Sequence, residues 1–286
     1  MAYTTINKST DYFNTKLFTG NGADNHAITG VGFQPDWIWA KNRANTDAHH
    51  VADVLNGAGY RLRTNTNDAL GTQADGVKSF DSDGFTLGTT GSINGNGNGI
   101  VSWNWKAGGA GSSNSDGSIT STVSANTTAG FSILKYTGTG ANATIGHGLG
   151  ASPNIIINKK TSGTQNWNFQ NSMMGYSQYM GLNTSEASQA TGGAIISSVS
   201  STTFTCDGNA NANASGATYV AYCFAEKTGY SKFGSYTGNG NADGTFVYTG
   251  FKPAFYIIKR TSDTFSWIIK DTKRPGYNVN GTYLVA

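Results

Sequence analysis

One block of this sequence returns three times in fixed register, and that recurrence limits the chain to architectures built from like units. The first copy reads Phe18-Thr19-Gly20-Asn21-Gly22, then Gly32-Phe33-Gln34-Pro35, then Asp36-Trp37-Ile38-Trp39-Ala40-Lys41. The second reads Tyr136-Thr137-Gly138-Thr139-Gly140, Gly150-Ala151-Ser152-Pro153 and Asn154-Ile155-Ile156-Ile157-Asn158-Lys159. The third reads Tyr236-Thr237-Gly238-Asn239-Gly240, Gly250-Phe251-Lys252-Pro253 and Ala254-Phe255-Tyr256-Ile257-Ile258-Lys259. Gly20 to Gly138 and Pro35 to Pro153 are both steps of 118 residues, and Gly138 to Gly238 and Pro153 to Pro253 are both steps of 100.

Each part of the block has a physical meaning. Glycines in Thr-Gly-Asn-Gly take positive φ without strain, which makes the tetrad a turn. The proline of Gly-Phe-x-Pro fixes its own φ and drives its predecessor into extended backbone. The β-branched and aromatic run that follows is a mostly buried strand meeting solvent at its lysine. The block is therefore read as scaffold rather than as a ligand site. Each full repeat closes on a second strand, in which Val101, Trp103 and Trp105 alternate with Ser102, Asn104 and Lys106, the period of a half-buried strand. Val220, Tyr222 and Phe224 repeat that pattern. Turn signals recur throughout, and no stretch carries a convincing helical period. The expected fold is all-β: tandem small antiparallel β-sandwiches of jelly-roll or concanavalin-like type, one per repeat. A single larger jelly roll made from two repeats is the alternative.

The repeats divide the chain into an N-terminal arm (1–15), a first sandwich (16–107), a Gly/Ser/Thr-rich linker (108–130), a second sandwich (131–228) and an incomplete third repeat (229–286). The linker is expected to be flexible in its first half, with Ile119–Val123 able to pair as an edge strand. Charged residues are 12%, about half the usual ~25%, while aromatics also reach 12%, so the composition fits a turn-rich β protein rather than a disordered one. A net charge of +3 without a Lys/Arg cluster leaves no footprint for nucleic acid. No apolar run approaches the ~20 residues of a spanning helix, so membrane insertion is not expected. The opening Met1-Ala2-Tyr3-Thr4-Thr5 lacks the basic and apolar parts of a signal peptide, which points to release by lysis or assembly into a particle. Cys206 and Cys223 align with Leu87 and Asn104 and are read as packing thiols rather than a disulfide.

Residues able to do chemistry are few and poorly arranged for it. Glycan cleavage needs two carboxylates across the scissile bond, yet the only glutamates, Glu186 and Glu226, lie in different strands of one repeat. Asp53 and Asp271 occupy matched positions where the second repeat has Asn171, an exchange that would abolish an acid catalyst and so marks a structural role. Of the four histidines, His49 and His50 are adjacent and His49 aligns with Trp167 and Trp267, which favours packing over a metal site. No Gly-x-Ser-x-Gly elbow or Walker loop is present. No cofactor and no metal are expected, and the reading is non-enzymatic. Two loops, Gly91–Gly99 and Asp207–Asn213, are Asn-rich. The second alternates oxygen-bearing side chains as a calcium loop does, but carries one formal charge and no closing glutamate, so both are read as Asn/Gly hairpin loops. Their Asn94, Asn96, Asn98, Asn209, Asn211 and Asn213 are the candidate ligand residues, as amides that could meet a sugar.

Ser79-Phe80-Asp81-Ser82-Asp83-Gly84-Phe85-Thr86-Leu87-Gly88, Tyr219–Glu226 and Gly117–Phe131, together with the block above, resemble repeat proteins of marine, cyanophage-like tailed bacteriophages. These are virion structural or tail-fibre-type proteins with concanavalin/laminin-G-like sandwiches, and the resemblance covers nearly the whole chain. It implies a virion component, a fibre, spike or head/tail decoration, assembled in the host cytoplasm and exposed on the particle. It implies other virion proteins as partners, with attachment to a host-surface glycan as the accompanying expectation, and it carries no binding residue over. The third repeat stops before its Phe hairpin and closing strand. Half a sandwich leaves an apolar face and free strand edges. The expectation is that the inner face with Phe255, Ile257, Trp267 and Ile269 is covered from outside residues 1–286, by continued chain, another virion protein, or, most simply, a homotrimer.

Overall fold

The computed structural model describes residues 3–190, 195–208, 210–274 and 283–285, and it is an all-β protein of tandem antiparallel sandwiches. The first repeat contains β1 (Phe13–Thr19), β2 (His26–Ile28), β3 (Trp37–Asn42), β4 (His50–Asp53), β5 (Tyr60–Arg61), β6 (Gly71–Thr72), β7 (Val77–Asp81), β8 (Gly84–Leu87), a helical turn α1 (Gly91–Asn94) and β9 (Gly99–Trp105). The stretch 108–130 is not a bare linker. It holds β10 (Ser112–Asn114) and β11 (Ser121–Asn126), and β11 lies inside the ladder between β10 and the first strand of the second repeat. That repeat has β12 (Phe131–Thr137), β13 (Ala143–Gly146), β14 (Ile155–Lys160), β15 (Asn168–Asn171), β16 (Gln178–Gly181), β17 (Gln189–Ala190), β18 (Ser198–Val199), β19 (Thr203–Cys206), α2 (Ala210–Asn213) and β20 (Thr218–Phe224). The third repeat has β21 (Phe255–Ile258), β22 (Ile268–Asp271) and β23 (Leu284–Val285).

The two full repeats fold alike. In each a large sheet places the closing strand between the opening strand and the post-proline strand, as β1-β9-β3-β4 and as β12-β20-β14-β15-β16. A small sheet, β2-β8-β7 or β13-β19-β18, covers one face of the large one. In the first repeat Ile38, Ala40 and Ala52 meet Phe85, Leu87 and Ile28 between the layers. In the second, Ile156, Leu134 and Ala221 meet Ile145, Phe204 and Cys206.

The opposite faces of the large sheets do not reach water. They converge, with the third sheet β21-β22-β23, on one common core that includes Trp37, Trp103, Ile157, Tyr222, Trp267 and Ile269. The closing strands are therefore buried on both faces rather than half-buried: Ser102 and Asn104 are as enclosed as Val101 and Trp103. The recurrent lysine does not mark an exit to solvent either, since Lys159 is fully buried and its Nζ folds back to the carbonyl of Lys160 at 2.7 Å. Lys41 and Lys259 make the same return to the next carbonyl, both at 2.6 Å.

The inner face of the third repeat is covered by the chain itself, which corrects the expectation of cover from outside. Trp267 is 2% exposed and Ile269 0%. Half-buried Phe255 rests on Phe13, Trp103 and Trp105 of the first repeat, and Ile257 packs on the same core. An uncovered inner face is thus not a reason for a homotrimer.

Trp37 shows how the repeats depend on each other. Its ring lies 4.4 Å from Trp105 within its repeat and 4.5 Å, stacked, from Tyr222 of the next. Truncating a buried tryptophan costs about 3–5 kcal/mol. Trp37→Ala is expected to lower unfolding free energy by that amount while keeping one cooperative transition, with tryptophan fluorescence and far-ultraviolet dichroism coinciding through a denaturant titration. Two separated transitions would mean independent sandwiches.

Candidate functional site

Three kinds of place could host function: the joint between repeats, the Asn-rich loops, and the surface of the third repeat. The joint is built from equivalent positions used in rotation. Trp167 Nε1 donates to the carbonyl of Arg63 at 2.8 Å, and Trp267 Nε1 donates to that of Gly181 at 2.9 Å. His49, the aligned residue of the first repeat, pairs Nε2 with the carbonyl of Val285 at 2.7 Å. Gly181 and Val285 hold the same ladder position, opposite Asn168 and Ile268 respectively. The second repeat thus grips the first, the third grips the second, and the first grips the third, a head-to-tail ring that closes after three units. Backbone contacts obey the same rotation: Leu70 N to Thr161 O recurs as Ser188 N to Thr261 O, and Gln165 N to Asn67 O recurs as Phe265 N to Ser185 O.

The aspartates belong to this joint. Asp53 Oδ1 accepts from the N–H groups of Leu55 and Asn56, Asn171 Oδ1 from Met173 and Met174, and Asp271 Oδ1 from Lys273 and Arg274. One turn is capped three times, and an amide serves as well as a carboxylate, which gives the aligned position its structural role. The second carboxylate oxygen reaches the neighbouring repeat, taking the hydroxyl of Tyr222 at Asp53 (2.8 Å) and the indole N–H of Trp103 at Asp271 (3.0 Å). Burial pushes the Asp53 carboxyl above its usual range and the Tyr222 phenol well up. Asp36 accepts from Ala107 N and Gly109 N and so ties the end of β9, and burial raises its carboxyl too.

The Asn-rich loops divide sharply. Asn94 and Asn213, expected at loop tips, are fully buried at the ends of α1 and α2. Asn94 Oδ1 accepts from Asn21 N and faces His26 Nδ1 at 2.7 Å, and its Nδ2 donates to Ala23 O and Gly88 O. Asn213 accepts from Thr139 N and donates to Ala141 O. Both fasten the helical turn to the Thr-Gly-Asn-Gly block, which leaves no amide for a sugar. The block's glycines follow from this: a β-carbon on Gly20 would overlap Gly95 O, and one on Gly138 would overlap Ala214 O. Asn96 is exposed, Asn98 and Asn211 are half-buried, and Asn209 lies outside the described residues. All six tryptophans are buried, so no indole flanks these tips as a sugar platform.

A family model described as a domain of unknown function (DUF7483) matches residues 8–286. The chain belongs to this family. No curated protein and no solved structure matches it.

Among the described residues no three His, Cys, Asp or Glu side chains gather to hold a metal, and no helix is long and apolar enough to cross a membrane. Two histidines serve the fold: His147 accepts from Leu149 N, and His49 Nδ1 accepts from Trp39 Nε1 at 2.7 Å, which fixes its neutral Nε2–H tautomer. Burial lowers His49 to about 4 and, with the charges of Arg61 and Arg63, His50 to about 3. Cys206 and Cys223 are buried free thiols pushed up by desolvation, Cys206 to about 12, which makes them inert packing groups. The sequence did not signal the cross-repeat acceptors, because each is a backbone carbonyl or the second oxygen of a turn cap.

Two predictions follow from these side chains. Asn94→Ala strands buried partners and should cost about 2–4 kcal/mol, whereas Asn96→Ala stays within about 0.5 kcal/mol, both read from denaturation midpoints. The folded state holds His49 and His50 neutral, so their stabilisation is complete above pH 6.5 and is lost as pH falls towards 4 and 3. The raised carboxyls of Asp36 and Asp53 act oppositely, gaining stability as pH falls. The slope of melting temperature between pH 7 and pH 4 is expected to shift towards greater acid tolerance in His50→Gln.

Proposed function

We propose that this protein is a non-enzymatic structural component of a bacteriophage particle, a fibre, spike or head/tail decoration exposed on the virion. One observation supports the non-catalytic part: several of the side chains able to do chemistry are engaged in holding backbone. Asp36, Asp53, Asp271, His49, His147, Asn94 and Asn213 each hydrogen-bond a turn, a loop or a neighbouring repeat. The particle setting rests on the resemblance of its motifs to virion repeat proteins. A neutral surface rich in Gly, Ser, Thr and Asn, carrying rigid interlocked sandwiches, suits a part that assembles with other virion proteins.

Host-glycan attachment is the weaker version of this reading, because two of the six candidate amides are saturated and the tips lack indole rings. An antibody to the chain is expected to label purified particles, and incubation with host polysaccharide is expected to release no reducing ends. Particles free of the chain, or reproducible release of reducing sugar, would overturn the proposal. Saturable glycan-array binding abolished by Asn96→Ala would restore the attachment reading.

A further inference from the structure

One strand pair is built alike in both full repeats but carries different side chains. In the second repeat β16 meets β17 with Tyr179 opposite Gln189, and the Tyr179 hydroxyl donates to Gln189 Oε1 at 2.8 Å. Gln189 Nε2 in turn donates to Glu186 at 2.7 Å. In the first repeat the aligned places of β5, β6 and their loop hold Arg61, Gly71 and Asp68. There the middle link has no side chain. A β-carbon on Gly71 would meet nothing within 4 Å, and Gly71 is not among the positive-φ glycines, so the backbone itself would accept one. Over it lies a cleft of about 320 Å³, the size of a small-ligand site, lined by Arg61, Arg63, Asp68, Ala69 and Gly71.

The strand register explains why two guanidinium groups share this cleft. Val51 and Leu62 exchange both backbone hydrogen bonds and lie in the common core. Alternation turns Arg61 and Arg63 to the opposite face. The second repeat fixes the walls: Trp167 Nε1 binds the carbonyl of Arg63, and Leu70 N donates to Thr161 O. Arg61 Nε donates to Gln73 Oε1 at 2.6 Å, which orients the guanidinium, and among the described residues its Nη groups make no hydrogen bond. Arg63 Nη1 meets Asp68 Oδ2 at 3.1 Å, and the Thr66 hydroxyl meets the same oxygen at 2.9 Å. These two contacts hold the Asp68 carboxyl below its usual range, and its Oδ1 has no partner among the described residues. Partial burial and the charge of Arg63 press Arg61 down from its ordinary value. His50, across the ladder from Arg63, keeps its buried Nε2 without a hydrogen bond, and burial and both guanidinium charges hold it neutral. The lining thus presents two cations, one carboxylate, a free guanidinium fork and a free carboxylate oxygen.

We propose that this cleft binds a sugar acid, with the Arg61 guanidinium taking its carboxylate and Asp68 Oδ1 accepting from its hydroxyls. A carboxylate matches a guanidinium fork in shape and leaves the lining neutral. It takes the place that the Gln189 side chain fills in the second repeat, where Oε1 accepts from Tyr179. Asp68 decides the rest of the ligand: it needs donors, and it repels a second negative charge as on a phosphate dianion. Hydroxyls supply those donors, whereas an acidic peptide side chain brings the carboxylate without them. Ala69 is the only apolar side chain in the lining, so nothing there favours an aliphatic tail. The cleft stands apart from the particle assignment and from the Asn-rich tips: particles free of the chain would leave it intact.

The probe is tri-galacturonate, titrated into the full nitrogen-labelled chain while arginine Nε–H resonances are followed. Saturable binding at one site per chain is expected, with the Arg61 signal shifted and no response to the neutral trimer galactotriose. Arg61→Gln should weaken binding by at least about tenfold, the loss of a charge-assisted contact. Gly71→Gln rebuilds the second repeat's arrangement, so it should melt no lower than the native chain and should lose binding. This variant decides the matter if Arg61→Gln does not fold. Absence of binding, or binding that survives Gly71→Gln, would overturn the proposal. So would equal affinity for inorganic sulfate or phosphate, which would make the cleft a general anion site. Equal affinity for a tetra-glutamate peptide would overturn it in favour of an acidic protein partner.

Discussion

The contact on which the structure depends is an aromatic N–H from one repeat donated to a backbone carbonyl of the next. Trp167 and Trp267 make it with indoles, and His49 makes it with an imidazole. Each donor is buried in the common core, where an unpaired N–H would be costly, so the bond sets the rotation between neighbours rather than merely adding attraction. The imidazole is the smallest of the three donors, and it also accepts the indole proton of Trp39. That second bond explains why a histidine can stand at a tryptophan position.

Much of this fold was legible in the residues. The offsets located the turns, the post-proline strands and the closing strands, and each of these lies where the repeat places it. The match of Asp53 with Asn171 and Asp271 marked a structural position, and in the structure each caps its turn with one oxygen on two N–H groups. What periodicity could not reveal was the second buried face of the large sheets. Ser102 and Asn104 alternate with aromatics as they would on a wet strand, yet a small sheet covers them. Polar residues there satisfy local backbone, as Asn104 does with the carbonyl of Asn14. Alternation reports a difference between two faces and does not say that one of them is wet.

The candidate loops were misread in part for a related reason. Composition marked Asn94 and Asn96 alike, but Asn94 closes the helical turn as an internal staple while Asn96, two residues beyond it, is a surface amide. The signal available was the alignment of Asn94 with Asn213 across an offset of 119, beside a recurrent Gly block that both contact. A residue that recurs with its partner motif is under a shared packing constraint. Asn96, whose counterpart is Ser215, is not.

The pairing of His49 with Val285 has a mechanical side. In an array of independent sandwiches, a pull on the two ends unravels one module after another, and each gives way at its own load. Here His49, just before β4, is hydrogen-bonded to Val285 in β23, so the first and third repeats are tied directly as well as through the second. Until that clasp and the aromatic packing behind it yield, no single sandwich carries the load alone. A ring closed in this way is expected to resist extension as one body rather than module by module.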